Sequence, residues 1–351
     1  MTLSRIVFAL MAFSLVAACG AGGSGSADNS AIIGLTVDNT VSPTQLVIAN
    51  ADNQTIQKVT LSNGALTLLA GAANTSGAVD DKGSAARFNE PFGIALSGTD
   101  FFVADTFNHA IRKITSAGVT TTLAGAIGKS GMTDGAGASA LFFGPKSLVS
   151  DGTNLYIADT SNHNLRKLVI GTGATTTLAG GGSAGAVDGT GSSARFSAPF
   201  GVAYDGTHIY LTDTGNQTVR KITSAGVVTT LAGTSGAAGV TDATGTTAKF
   251  NTPTGLVYFN DPSLGGVLFV ADSSNHTIRK IVIASGVVTT LAGSAGASGS
   301  ADGTGSAARF NTPIGLTVDN AGNLYVSDQN YKKIRKVVVS TGAVTTLSVA
   351  F

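Results

Sequence analysis

The sequence predicts an all-β protein, a six-bladed β-propeller of four-stranded blades. Three observations lead there. The stretch FVADTFNHAIRKI at 102–114 returns as YIADTSNHNLRKL at 156–168 and as FVADSSNHTIRKI at 269–281. An aspartate marks the same point of five copies, at Asp105, Asp159, Asp213, Asp272 and Asp328, with Asn50 in a looser first copy. Each of these six units holds four short runs of β-branched residues divided by turn signals, the make-up of one propeller blade. A closed ring also buries the two end faces that an open stack would leave exposed.

In the second unit the four strands are FGIAL (92–96), FFVAD (101–105), AIRKIT (110–115) and VTTTLAG (119–125), with SGTD and TSAG as turns. The long connections, such as GSAGASGSADGTGSAARFNTP at 293–313, are glycine-rich but held to nearly one length. Phe88, Phe142, Phe196, Phe250 and Phe310 recur at one position in them and are expected to anchor each connection onto its sheet. The ring is expected to close with no strand borrowed from the other terminus. Unit six should then meet unit one through side-chain packing alone, as the weakest interface.

Composition agrees with short strands and many turns: 47 glycines, no tryptophan, and only 12% charged residues. The net charge of +1 gives no electrostatic case for nucleic-acid binding. At the N-terminus, Arg5 precedes an apolar run from Ile6 to Val16 that is too short to span a bilayer and reads as a secretory signal. Residues 1–18 are therefore expected to be a signal peptide, 19–30 a flexible tether beginning at Cys19, and 31–351 the propeller. Cys19 is the one cysteine, so no intramolecular disulfide can form.

Two resemblances follow from quoted residues. LVAAC, ending at Cys19, resembles the bacterial lipobox, which implies lipidation of Cys19 and membrane attachment through that anchor only. Gly20, where an aspartate would signal retention, resembles the pattern for delivery to the outer rather than the inner membrane. The pattern P-x-G…A-D-[TS]-x-N-H-x-[IL]-R-K resembles the NHL-repeat family over residues 31–348, which implies an NHL-type propeller. That family includes a zinc-dependent lyase whose ligands are histidines around the central channel. The inner runs here contain no histidine.

Paired charges recur within the units: Asp105 with Arg112, Asp159 with Arg166, Asp213 with Arg220, Asp272 with Arg279 and Asp328 with Arg335. In unit one both change together, to Asn50 and Gln57. That is the signature of a buried structural ion pair, in which neither charge is tolerated alone. His109, His163 and His276 share a turn position expected roughly 12 Å from the ring axis. Zinc needs its ligands within about 2.1 Å of one metal, so the three are not read as a metal site. GGSAG (181–185), GTGSSA (189–194) and the repeated DGTGS imitate hydrolase, dinucleotide and calcium motifs but lie in connections without the required helix or oxygen count.

No catalytic set, cofactor or metal is expected. The expected function is that of an exported, lipid-anchored cell-envelope module engaging a protein, peptide or glycan through one disc face. The candidate face carries Asn108, His109, Asn162, His163, Asn216, Gln217, Asn275, His276, Tyr331 and Lys332. Unit six departs most, with DQNYKKIRK. The alternative is a hydrolase or lyase acting at the channel mouth.

Overall fold

A computed structural model describes residues 32–349. The signal segment, Cys19 and the tether lie outside the described residues, as does the side chain of Tyr331. Six antiparallel sheets follow one another along the chain, at 32–71, 91–124, 145–179, 199–232, 253–293 and 313–346. Each is a meander in which consecutive strands pair, the first innermost and the fourth outermost. Phe101 faces Ile114 and Val103 faces Arg112 in blade two, so the period-2 alternation read from the sequence sets the register. Among the described residues no helix is long and apolar enough to cross a membrane.

The blades hold one more strand than expected in three cases. Gly135–Ala136, Gly189–Thr190 and Gly303–Thr304 pair with the outermost strands of blades three, four and six. Single bridges, Lys82 to Val119 and Thr244 to Val287, do the same in blades two and five. Each connection thus runs along the outer edge of the blade that follows it and occupies hydrogen-bonding groups that would otherwise invite another chain. This need to track an edge explains why the connections keep their length.

Packing between blades makes the core. Phe102 and Ile111 of blade two interleave with Leu155, Ile157 and Leu168 of blade three, and equivalent clusters repeat around the ring. The five connection phenylalanines are fully buried. Inner strands approach closely at the glycine of P-x-G: a Cβ on Gly255 would collide with the Ile314 carbonyl, and one on Gly315 with that of Ile33. Blade three has Ser147 at this position.

Hydroxyls add a clasp between neighbours. Thr106, Thr160, Thr214 and Ser273 donate to the carbonyls of Pro145, Pro199, Pro253 and Pro313, at 2.8, 2.7, 2.6 and 2.6 Å. At the seam Leu35, Val37 and Ile48 of blade one pack with Tyr325 and Ile334 of blade six. The expectation of packing alone is corrected there, because the Ser327 hydroxyl donates to the Ile33 carbonyl at 3.1 Å.

Candidate functional site

The recurring arginine is a three-way tie. Arg112 Nη1 donates to Asp105 at 2.6 Å and Nη2 to Asp80 at 2.6 Å, and both nitrogens also reach connection carbonyls, of Arg87 and Val79. Its guanidinium lies 5.2 Å from the centre of the Phe88 ring. Arg166, Arg220, Arg279 and Arg335 repeat this, with Asp134, Asp188, Asp242 and Asp302 as the outer carboxylates. Burial pushes the inner carboxyls, Asp105 among them, up to about 6, against the pull of the arginine and of the donors around them. In blade one the pair becomes an amide contact, Asn50 Nδ2 to Gln57 Oε1 at 3.5 Å.

The asparagines of the expected face serve the same tie. Asn108, Asn162 and Asn275 are buried, and each donates to its inner aspartate and to a connection carbonyl. Asn216 does likewise from a half-buried position. Their amides have little left to offer a ligand.

The histidines bracket neighbouring blades. His109, His163 and His276 sit in left-handed backbone after a short 3-10 turn. Each Nδ1 accepts a backbone N–H of the next blade's approach, from Gly144 at 3.2 Å, Ala198 at 3.0 Å and Thr312 at 3.1 Å. Gln54 and Gln217 do the same through Oε1, toward Glu90 and Thr252. An acceptor is what this position requires, and both side chains supply one. Lys332, half-buried in blade six, has donors only.

Burial lowers the pKa of all three imidazoles from the ordinary 6.5. A depressed folded value means that the neutral brackets contribute in full above that ordinary value and are lost as pH falls through the lowered one. The triple variant His109→Gln, His163→Gln, His276→Gln should match the parent within about 0.5 kcal/mol at pH 7.5. It should also lack the parent's imidazole-dependent loss of stability on acidification. Urea unfolding of both proteins at neutral and mildly acidic pH checks this. The buried aspartates contribute with the opposite sign to both proteins and cancel in the difference.

The six inner strands bound a central channel of about 190 Å³. Pro91 pairs with Asp105 at the end of the second strand, so the short turns mark one end of the channel, and there Ile33, Phe92, Ile314 and Phe200 of four blades pack into one apolar cluster. The residue after each strand-opening proline, or its counterpart in blade one, forms the rim of this end: Ile33, Phe92, Lys146, Phe200 and Ile314 line the channel, while Thr254 of blade five is buried behind it. Phe92 and Phe200 meet edge to face at 5.5 Å, and the Lys146 ammonium lies 3.8 Å from the centre of the Phe92 ring. Phe107 stands beyond it, 5.9 Å from the same ammonium.

Around this rim the repeat breaks on one side. Phe107, 42% exposed, occupies the turn position that is Ser161, Gly215 and Ser274 in blades three to five and Asp52 in blade one. Phe143, 40% exposed, stands where blades four to six have Ser197, Asn251 and Asn311, and packs edge-on against His109 at 5.5 Å. Glu90 precedes Pro91, where the later blades have small neutral residues. Burial raises its pKa, Lys146 pulls it back and nearby Asp52 raises it further. Among the described residues no three His, Cys, Asp or Glu side chains gather to hold a metal ion.

No family model matches the chain. It is 30% identical to NHL repeat-containing protein 2 of Gallus gallus over 351 residues, which is 90% of this chain and 47% of that protein. The repeats and the six-bladed ring agree. The chain is an NHL-repeat propeller. It spans about half the length of these NHL repeat-containing relatives. Among solved structures, an auxiliary nutrient binding protein from Bacteroides thetaiotaomicron superposes with a TM-score of 0.66 at 15% identity, over 90% of this chain and 69% of that one. Virginiamycin B lyase from Staphylococcus aureus gives 0.54 at 12% identity, over 92% and 86%. These likenesses establish the fold alone.

Two sets of residues in this NHL propeller escape a reading of the motif. The outer aspartates Asp188 and Asp302 open the calcium-like DGTGS stretches and Asp80, Asp134 and Asp242 their looser counterparts, and their near-constant distance from the arginine was the available signal. The rim residues lie in variable columns between motif letters. There Lys146, within PKS in place of PFG or PIG, was the visible irregularity.

Proposed function

We propose that this NHL propeller is an exported binding module, anchored through Cys19, whose ligand seats on the short-turn face over blades one to three. The observation that carries the reading is the break in the repeat over blades two and three: Phe107, Phe143 and Glu90 stand where blades four and five have Gly215 and Ser274, Ser197 and Asn251, and Ala198 and Thr252. A structural position keeps its residue from blade to blade, whereas exposed aromatic rings beside charged groups have no such reason to be there. The description of a similarly folded protein as nutrient-binding supports a binding role. The face is the one expected from the sequence, with recognition moved from the asparagine and histidine turns to the rim.

The test is co-purification from cells after cross-linking, comparing the parent with Phe107→Ala/Phe143→Ala and with Cys19→Ser. A recurrent ligand that the double aromatic variant loses, and a membrane association that only Cys19→Ser loses, are the expected results. Equal recovery by the aromatic variant overturns the site. Glu90, a half-buried carboxyl near Lys146, is the observation that favours the hydrolase or lyase alternative. Turnover of a bound compound, abolished by Glu90→Gln, would establish it.

A further inference from the structure

Three exposed apolar side chains gather on one turn of the short-turn face. Phe107, Ile127 and Phe143 are exposed at 42%, 40% and 40%. Phe107 belongs to the 3-10 turn Thr106–Asn108 of blade two. The loop holding Ile127 docks on that turn, where the Gly128 N–H donates to the Asn108 carbonyl at 3.2 Å. Phe143 packs against His109, the next residue. In blades four and five the same three positions hold Gly215 and Ser274, Ser235 and Ala295, and Ser197 and Asn251. Two charges of opposite sign flank the turn. Lys129, two residues after Ile127, is exposed, and half-buried Glu90 accepts the Thr106 N–H through its carbonyl at 3.4 Å.

The anchor sets what this face meets. Ile32 opens the innermost strand of blade one and pairs with Asn50 at the end of the second strand, so the chain enters the ring on the short-turn face. Cys19 lies 13 positions earlier. A chain of that length spans about 20 Å as a Gly/Ser coil and about 45 Å fully extended. Carrying it round the disc to the opposite face would take about 40 Å, from four strands about 4.8 Å apart and the height of one strand. An acylated Cys19 therefore holds the short-turn face toward the bilayer.

Resting on the Cys19 anchor and the binding face proposed above, we infer that the partner at this turn is the bilayer surface itself, a zwitterionic lipid layer that Phe107, Ile127 and Phe143 enter while its phosphate and ammonium groups meet Lys129 and Glu90. Three side chains are too few to hold an unanchored protein. They orient one that the acyl chains already hold.

The test uses the absence of tryptophan from the chain. Phe107→Trp, Phe143→Trp and Leu264→Trp each introduce one, in protein purified from its cells and reconstituted into phosphatidylethanolamine–phosphatidylcholine vesicles with brominated acyl chains. Mass spectrometry of each preparation reads the acyl chains on Cys19. Emission from 107 and 143 should shift to shorter wavelength and be quenched by bromines at a depth of about 5–10 Å, and emission from 264 should do neither. Ile127→Ser with Phe143→Ser should reduce the quenching at 107, and Glu90→Gln should reduce it less. No quenching at 107 and 143, with a protein or small molecule cross-linked from position 107 in cells, overturns the lipid assignment and leaves the binding face standing. No quenching and no cross-link overturns both. Quenching from 264 alone puts the opposite face on the bilayer and overturns the lipid assignment. An unacylated Cys19 overturns the anchor and this inference with it.

Discussion

Arg166→Met is expected to destabilise the ring by about 3–5 kcal/mol, because it leaves the buried Asp159 carboxylate without its counter-ion. Arg166 is fully buried and donates to Asp159 and Asp134 at 2.9 Å each, and to the carbonyls of Leu141 and Thr133. Methionine fills the volume against Phe142 but supplies no donor, leaving Asp159 charged in a buried site or forced to take up a proton. Blade one shows how evolution removes the pair, with Asn50 and Gln57 in place of both charges. The double variant Asp159→Asn/Arg166→Gln should therefore lose less than Arg166→Met alone. Denaturant unfolding of the three proteins reads both effects. A double variant at least as unstable as the single one would show that the arginine acts by packing and not by charge.

Gly255→Ala is expected to cost more than about 3 kcal/mol, or to prevent closure of the ring. The cause is space. Its new methyl group points at the Ile314 carbonyl of the adjoining inner strand, and backbone cannot yield as a flexible side chain can. The reciprocal control is Ser147, the non-glycine member of this column. Ser147→Ala should change stability by less than about 0.5 kcal/mol, since the ring already accommodates a Cβ there. Thermal unfolding of both variants checks the pair.

The repeating motif proves to be a description of construction, which is why the fold could be read from the sequence and the ligand could not. In A-D-[TS]-x-N-H-x-[IL]-R-K the aspartate and arginine tie a connection to its blade, the threonine or serine clasps the next blade, the asparagine reinforces the aspartate, and the histidine brackets the neighbour's N–H. Apart from the half-exposed lysine, the recurring polar letters are used within the ring. The recognition proposed above uses the positions marked x and those between motifs, where Phe107, Phe143, Glu90 and Lys146 stand. Such positions carry no periodic signal, and only closing the ring brings residues from three blades to one rim. Histidine and glutamine at one turn position looked like variation on a recognition surface. Three-dimensional geometry shows two acceptors performing one structural task.

The most direct measurement places a photo-reactive residue at position 107 on the rim, and in a second protein at position 264. Leu264 is exposed in a turn between the first two strands of blade five, toward the opposite end of the channel. Both proteins are irradiated in the cells that make them. Adducts from position 107, absent from position 264 and reduced by Glu90→Gln, are the predicted result. Equal labelling from both positions, or labelling from 264 alone, would contradict a ligand seated on the short-turn face.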